Sequence, residues 1–445
     1  MECGLIQEGH TILENYRLNQ EYLQKIKPSN IDMIIVGHMH IDHIGLIPSL
    51  YKNGKCNARI IVPKYSTAIL ETMLLDSAYI NTRDVELLNH KRGTAYQPLY
   101  TEDDVHYVMQ YVEEYESNEV IALSDSCSIR YTPAGHILLS QQIELFITCN
   151  GHTKKLLFTS DLGNTITQDS RVYVEKFQPV NTAQIAFVES TYSAASRTLT
   201  KEDFQKDMEK IKTVITQFCI DSSNRVLIPT FSLDRCPYML WILYSLFGKD
   251  KDFHVPIIVD SPLTINLLNI YSSILQGEKK EIFDQVMSWE NLQLITEPEE
   301  SKAAISDPSS KVILSSSGML TAGRSIKWCQ SILPRYSDCI LFCGYTGENT
   351  LGWKIKHSKQ QKTISINGKP IPNRCQIVNL KSFSSHMQHQ ELVKYYKGIH
   401  CDKIYLVHGN TKDVLEFQKE LSKEIHDSLR TTKVIVPTKG TKISL

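Results

Sequence analysis

The sequence predicts an α/β protein of two domains, and three observations carry that prediction. At 445 residues the chain exceeds what a single hydrophobic core usually supports. Apolar, strand-like runs in the first half end repeatedly in short loops rich in His, Asp and Gly. From about Ser193 strand-like and helix-like segments alternate, the rhythm of a parallel sheet flanked by helices. That rhythm breaks near Gly368-Lys369-Pro370-Ile371-Pro372.

The run Ile31-Asp32-Met33-Ile34-Ile35-Val36 has the length and branching of a buried strand, and residues 60–62 and 121–123 read as short strands. Residues 67–78 carry apolar side chains at helical spacing, and 102–116 read as a surface helix. Residues 143–147 and 155–159 flank Asn150-Gly151, a hairpin signal, and 185–188 form another strand. Beyond Ser193, residues 201–219 are amphipathic, 226–229 strand-like and 237–247 an apolar helix. Residues 255–259, 312–314 and 339–343 are further buried strands. The tail offers strands at 375–380, 403–407 and 433–436, with a helix between Lys412 and Asp427.

Composition narrows the class without naming a function. Hydrophobic content of 42% and charged content of 22% are ordinary for a globular protein. A net charge of −1 gives no global basic field, so attraction for nucleic acid would have to be local. No apolar run is long enough to span a bilayer, and Met1-Glu2-Cys3-Gly4 does not begin a signal peptide. The eleven scattered cysteines, with no C-x-x-C pair, read as reduced and mostly buried thiols of a cytoplasmic protein.

Chemistry concentrates in His38-Met39-His40-Ile41-Asp42-His43, three imidazoles and a carboxylate within six residues. These are ligands that zinc and similar divalent ions prefer. Spacing of i, i+2, i+4, i+5 suits a loop leaving a strand, and it can divide its ligands between two neighbouring ions. The bland alternative is a polar loop with chance histidines. Pro133-Ala134-Gly135-His136, Thr159-Ser160-Asp161-Leu162-Gly163 and Leu406-Val407-His408-Gly409 repeat the strand-then-ligand pattern. Singly, each is more commonly a hydrogen-bonded loop residue. Together they supply seven ligands for a two-metal hydrolase.

The order HxHxDH, GH, SD and a late strand-His-Gly resembles the metallo-β-lactamase superfamily. The resemblance implies an αββα sandwich and two Zn2+ ions, His38, His40 and His136 on one and Asp42, His43 and His408 on the other. Asp161 would bridge them, and a bridging hydroxide would attack. Further motifs resemble the β-CASP nuclease branch: Val188-Glu189-Ser190-Thr191, Pro229-Thr230-Phe231-Ser232 with Arg235, Asp260-Ser261-Pro262-Leu263, Ser315-Ser316-Ser317-Gly318 with Arg324, and Lys381-Ser382-Phe383-Ser384-Ser385-His386. The branch inserts a parallel α/β domain into the sandwich, which implies domains of 1–192, 193–378 and 379–445, the outer two forming one fold. It implies hydrolysis of single-stranded RNA in an interdomain cleft, endonucleolytic or 5′-to-3′ exonucleolytic.

Within that resemblance Asp42 and Asp161 are catalytic as well as ligating. Glu189 would orient a ligand or His386, and His386 would act as general acid or phosphate clamp. Ser316, Arg324, Ser384 and His386 would contact substrate. The Ser315–Arg324 stretch, a Ser/Gly turn opening a helix, also presents N–H groups and an Arg fork to an anion, although a plain strand–helix turn explains it equally. Lys354, Lys356, Lys359 and Lys362 read as an RNA path or as a solvated basic face. The remaining histidines, His10 and His389 among them, lack strand-end context and read as core or surface residues.

The chain departs from the pattern in two places. Relatives open with a β-hairpin before an Asp-Cys-Gly turn; by that comparison Glu2 stands in the aspartate's place and the first N-terminal hairpin is expected to be missing. The stretch around His386 reads Ser-Ser-His-Met-Gln in place of Ser-Ala-His-Ala-Asp. Other functions compatible with the fold are thioester or lactone hydrolysis and an RNA-binding scaffold subunit. A homodimer, or a hetero-partner in an RNA-processing complex, is compatible with either nuclease reading.

Overall fold

The computed structural model describes residues 1–9, 11–348, 350–358, 362–438 and 440–443. The chain divides into two compact units: Met1–Asp169, Val174–Thr198 and Ser385–Leu445 form the first, Ser170–Tyr173 and Leu199–Ser384 the second. Boundaries read from the sequence, after 192 and after 378, lie a few residues ahead of these.

The first unit is built on a seven-stranded sheet. Its order is Lys433–Ile435, Lys403–Val407, Ile185–Glu189, His152–Phe158, Gln141–Cys149, Cys127–Pro133, Val120–Ser124. The first four strands are parallel and the remainder pair antiparallel. Asn150 and Gly151 turn the central hairpin with φ of 51° and 75°, the positive values a tight primed turn needs. A second, parallel sheet of Met33–Ile35, Arg59–Pro63 and Val112–Tyr115 packs against it. Ile35 and Ile61 from this sheet meet Ile129, Tyr131 and Ile143 from the larger one. The buried Tyr131 hydroxyl lies 2.9 Å from both the Val36 and the Ile61 carbonyl. Helices His389–Gly398 and Thr411–His426 cover the outer face, placing Leu392, Tyr396, Phe417 and Leu421 on Leu157, Ala186, Val188 and Leu406.

Strand direction decides where the chemistry lies. Cys127–Pro133 is antiparallel to Gln141–Cys149, which is antiparallel to His152–Phe158. The strands ending at Pro133, Phe158, Glu189 and Val407 therefore all run the same way, and their last residues reach one edge of the sheet.

One element differs from the sequence expectation. Residues 102–116 are not a single helix: the helix Glu102–Met109, with a Thr101/Asp104 capping box, gives way to the strand Val112–Tyr115. Here β-branched Val112 and Tyr115 pair with Arg59–Pro63, and sheet pairing overrides local helical spacing.

The second unit carries a six-stranded, wholly parallel sheet. Its order is Leu292–Ile295, Ile257–Asp260, Lys311–Ser315, Arg225–Pro229, Cys339–Phe342, Gln376–Asn379. Four of its strands are buried throughout, as parallel strands covered on both faces require. The strand Gln376–Asn379, read as part of the tail, completes this sheet. The break near Gly368 is a hairpin of Thr363–Ile366 and Lys369–Pro372. Among the described residues no helix is long and apolar enough to cross a membrane. No disulfide is present among them either, all eleven cysteines being free and most of them buried.

A buried ion pair pins one end of this sheet. Arg225 Nη2 lies 2.7 Å from Asp338 Oδ2, with both side chains at most 2% exposed, and the same guanidinium donates to the Ile305 carbonyl and Ser331. Removing one partner of such a pair strands a charge and costs about 3–5 kcal/mol. Asp338→Ala should therefore lower the denaturant midpoint of the second unit, followed by urea titration with tryptophan fluorescence, because all four tryptophans, Trp241, Trp289, Trp328 and Trp353, lie in that unit. An unchanged midpoint would contradict the assignment.

Candidate metal centre

Each ligand candidate follows a strand that delivers it to the common edge. His38, His40, Asp42 and His43 follow Met33–Ile35, and the turn Ile41–Ile44 brings Asp42 and His43 back beside His38. His136 follows Cys127–Pro133, Asp161 follows His152–Phe158, and His408 follows Lys403–Val407. The loops touch backbone to backbone. Gly163 N–H donates to the Ala134 carbonyl at 2.8 Å, and a Cβ on Gly163 would lie 1.9 Å from the Gly135 oxygen. A Cβ on Gly4 would lie 1.5 Å from the Asp42 carbonyl oxygen. Only hydrogen side chains fit at these two positions.

All seven candidates come together. One set, His38, His40, His136 and Asp161, and a second, Asp42, His43 and His408, each place ligand atoms within 4.8 Å of one another. Asp161 also groups with His408 and Glu189. Its Oδ2 is 3.6 Å from both His38 Nε2 and His136 Nε2, while its Oδ1 is 3.5 Å from His43 Nε2. The single carboxylate thus faces both sets.

The residues fit divalent ions. His43 Nε2 and Asp161 Oδ1 are buried and carry no hydrogen bond, an arrangement that is costly unless something else satisfies them. His40 Nδ1 stands 3.2 Å from His38 Nε2 and 3.3 Å from His136 Nε2, three ring nitrogens converging on one point. An all-nitrogen and carboxylate donor set is one that zinc takes readily.

Electrostatics sort the imidazoles. Burial holds His38 and His136 well below the ordinary histidine value, in the neutral form that offers a lone pair. At His43 burial pulls the same way, but Glu2 and Asp161 outweigh it and push the ring well up. Asp161 raises His408 to about 9. Asp161 itself, although burial opposes its charge, is held far down by His408 and His43.

Around this centre Glu189 is 1% exposed. Its carboxylate accepts from Leu162 N–H at 3.0 Å and Thr191 N–H at 2.9 Å, bracing the backbone just after Asp161. His386 sits beside it, Nδ1 3.6 Å from Glu189 Oε1, with its ring 4.5 Å from that of His136. Thr191 Oγ1 lies 3.0 Å from His408 Nδ1.

The substrate-contact candidates stand differently. Arg324 does not present an open fork: Nη1 binds Asp260 Oδ1 at 2.6 Å and the Ile295 carbonyl, and Nη2 binds the Thr296 carbonyl. The buried Asp260 carboxylate draws the guanidinium inward, which corrects its reading as an anion clamp. Ser316 Oγ pairs with Ser261 Oγ at 2.7 Å, at the carboxyl edge of the six-stranded sheet. Ser384 is buried as the last residue of the second unit. Lys356 is not part of an open basic face, since its ammonium reaches the Gly344 carbonyl and lies over Phe342. Lys359 and His10 lie outside the described residues.

Sequence reasoning missed three residues. Glu2 and Ser160 bind the buried sides of two imidazoles, and Asp207 accepts from the backbone of Lys381 and Ser382, ahead of His386. An acid inside an amphipathic helix and a serine beside a ligand give no spacing signal. His389, left open as core or surface, is a buried strut, with Nδ1 2.8 Å from the Ser193 carbonyl and Nε2 3.1 Å from Glu420.

A carboxylate shared by two ligand sets at the rim of a β-sandwich defines a metal-dependent hydrolase. Comparison with known proteins points the same way. Residues 238–355 match the Beta-Casp domain, and residues 370–437 match the Zn-dependent metallo-hydrolase RNA specificity domain. A ribonuclease of Thermus thermophilus is 24% identical over 401 residues, 89% of this chain and 85% of its own length. An RNase J-like protein of Methanocaldococcus jannaschii is 27% identical, covering 94% of this chain and 90% of its own. An endoribonuclease of Schizosaccharomyces pombe is 25% identical over 98% of this chain, which spans only 56% of that relative. These findings support a β-CASP nuclease of the metallo-β-lactamase superfamily.

Because the ligand loops rest on one another through Gly163, Gly163→Ala should part them. We expect zinc per chain to fall well below wild type by metal analysis, with circular dichroism unchanged. Full zinc content in the variant would show that the contact is dispensable.

Proposed function

We propose that the protein is a zinc-dependent ribonuclease that hydrolyses phosphodiesters within single-stranded RNA. The observation that carries the proposal is the pair of ligand sets sharing Asp161, with His386 held beside them. The match to an RNA specificity domain and the names of the similar proteins support RNA as substrate.

His38, His40, His136 and Asp161 would hold one zinc ion, and Asp42, His43 and His408 with Asp161 a second. Bound zinc supplies a Lewis acid that neutralises charge on phosphoryl oxygens and acidifies the attacking water. The protein's own part is to fix direction. Glu189 braces the Asp161 loop through Leu162 N–H and stands close to the ring of His386. His386, 20% exposed, is the imidazole at the rim placed to protonate the leaving oxygen. His386 belongs to neither ligand set, so its imidazole is the one assigned to the leaving oxygen.

Thioester or lactone hydrolysis is the competing reading, and substrate choice separates the two. Asp42→Ala with Asp161→Ala should abolish cleavage of labelled single-stranded RNA together with zinc binding, and undiminished cleavage would sink the mechanism. His386→Ala should keep its zinc and lose about 10²–10⁴-fold in rate, the usual worth of a positioned general acid. A circular RNA should be opened by the wild type. If only a 5′-monophosphorylated linear RNA is degraded, the enzyme works from the 5′ end instead.

A further inference from the structure

The carboxylate of Glu2 makes three contacts beside the metal centre. Oε2 is 2.7 Å from His43 Nδ1. Oε1 accepts from Ser160 Oγ at 2.8 Å and from Gly37 N–H at 3.1 Å. Ser160 Oγ in turn lies 2.9 Å from His38 Nδ1.

The proton count in this chain has one solution. A carboxylate only accepts, so the single Ser160 hydroxyl hydrogen goes to Glu2. Ser160 can then meet His38 only as an acceptor, which places a hydrogen on His38 Nδ1. By the same rule His43 Nδ1 carries a hydrogen toward Oε2. A hydrogen on Nδ1 leaves the Nε2 lone pair for a metal once each ring is neutral, and both Nε2 atoms face Asp161, at 3.6 Å and 3.5 Å. His38 belongs to one of the two ligand sets above and His43 to the other, and the two rings also group with Glu2.

We infer that Glu2, directly and through Ser160, is the positioning residue that fixes the metal-binding tautomer of one imidazole in each ligand set. The inference rests on the two-ion reading above but not on RNA as substrate. It also gives Ser160 a task. Its backbone is held at a φ of 49° immediately before Asp161, and its hydroxyl lies where a Cβ on Gly37 would reach, at 2.6 Å.

Glutamine at this position makes a discriminating test. An amide has one accepting and one donating end where the carboxylate has two accepting ends. With the amide oxygen toward Ser160 and Gly37, its NH2 meets His43 and drives that ring into the opposite tautomer. With the amide reversed, its NH2 meets Ser160, whose hydrogen then passes to His38, and that ring is inverted instead. Whichever way it turns, one ligand set loses a lone pair.

Glu2→Gln should therefore weaken one zinc site by roughly 10–100-fold, the range for losing such an outer partner, and leave the other near wild type. Ser160→Ala should weaken only the site containing His38, and Glu2→Asp should recover part of the loss. Zinc stoichiometry and affinity are read by competition with a chromophoric chelator, with the cobalt(II) absorption spectrum as an independent report of ligand geometry. Two sites of wild-type affinity in both Glu2→Gln and Ser160→Ala would overturn the inference. A wild-type protein that binds no zinc would instead overturn the two-ion reading beneath it. Should Glu2→Gln unfold, Ser160→Ala, which leaves Glu2 with His43 and Gly37, decides the question alone.

Discussion

The enclosure of Asp161 is the constraint to which the rest of the first unit answers. A carboxylate that is 2% exposed forfeits its hydration, and in such surroundings it stays charged only beside compensating positive charge or strong hydrogen bonds. Its two oxygens are given different neighbours: His38 and His136 on one side, His43 and His408 on the other. Nothing so distant in sequence could be gathered without four strands delivering their ends to one edge. The alternating pairing across Gln141–Cys149 achieves this, because an antiparallel strand on either side of it restores a common direction.

The distribution of burial follows from that enclosure. His38, His43, His136 and Asp161 are nearly sealed, whereas the side chains of Asp42, His408 and His386 are 46%, 35% and 20% exposed. The sealed groups form the floor, and a cavity of about 160 Å³ opens on it, lined by Asp42, His43, Asp161, Glu189 and His408 together with apolar side chains such as Phe158 and Phe187. Floor residues need fixed tautomers because no water can rearrange around them.

How much of this was legible in the sequence depends on the kind of signal each part leaves. The seven ligand candidates stood out because metal binding demands particular residue types at strand ends, and a strand followed by His or Asp and Gly is a pattern written locally. The buried parallel strands of the second unit were equally plain, since burial on both faces leaves continuous apolar runs such as Val226-Leu227-Ile228. What stayed hidden was decided by tertiary contact. Residues 112–115 looked helical until Arg59–Pro63 offered them a partner. Arg324 looked like an anion fork because nothing local reveals that Asp260, 64 positions away, claims it. Glu2 appeared only as a departure from a pattern, and its role lies in contacts with residues 41 and 158 positions distant.

Glu2 also shows why residue type and position must be read together at such a site. Aspartate and glutamate differ by one methylene, which shifts a carboxylate by more than the tolerance of a hydrogen bond. The glutamate here reaches Gly37 N–H, Ser160 and His43 simultaneously, and the backbone beside it closes the gap: Glu2 N–H binds the Ile35 carbonyl at 3.0 Å, and Cys3 N–H binds that of His43 at 2.8 Å. The segment is therefore tied at both its backbone and its side chain to the loop that carries the ligands. A longer acid on a backbone anchored to the ligand loop itself can hold two rings at once, because anchor and target move as one body. Glu2 is thereby fixed against the same loop whose rings it contacts.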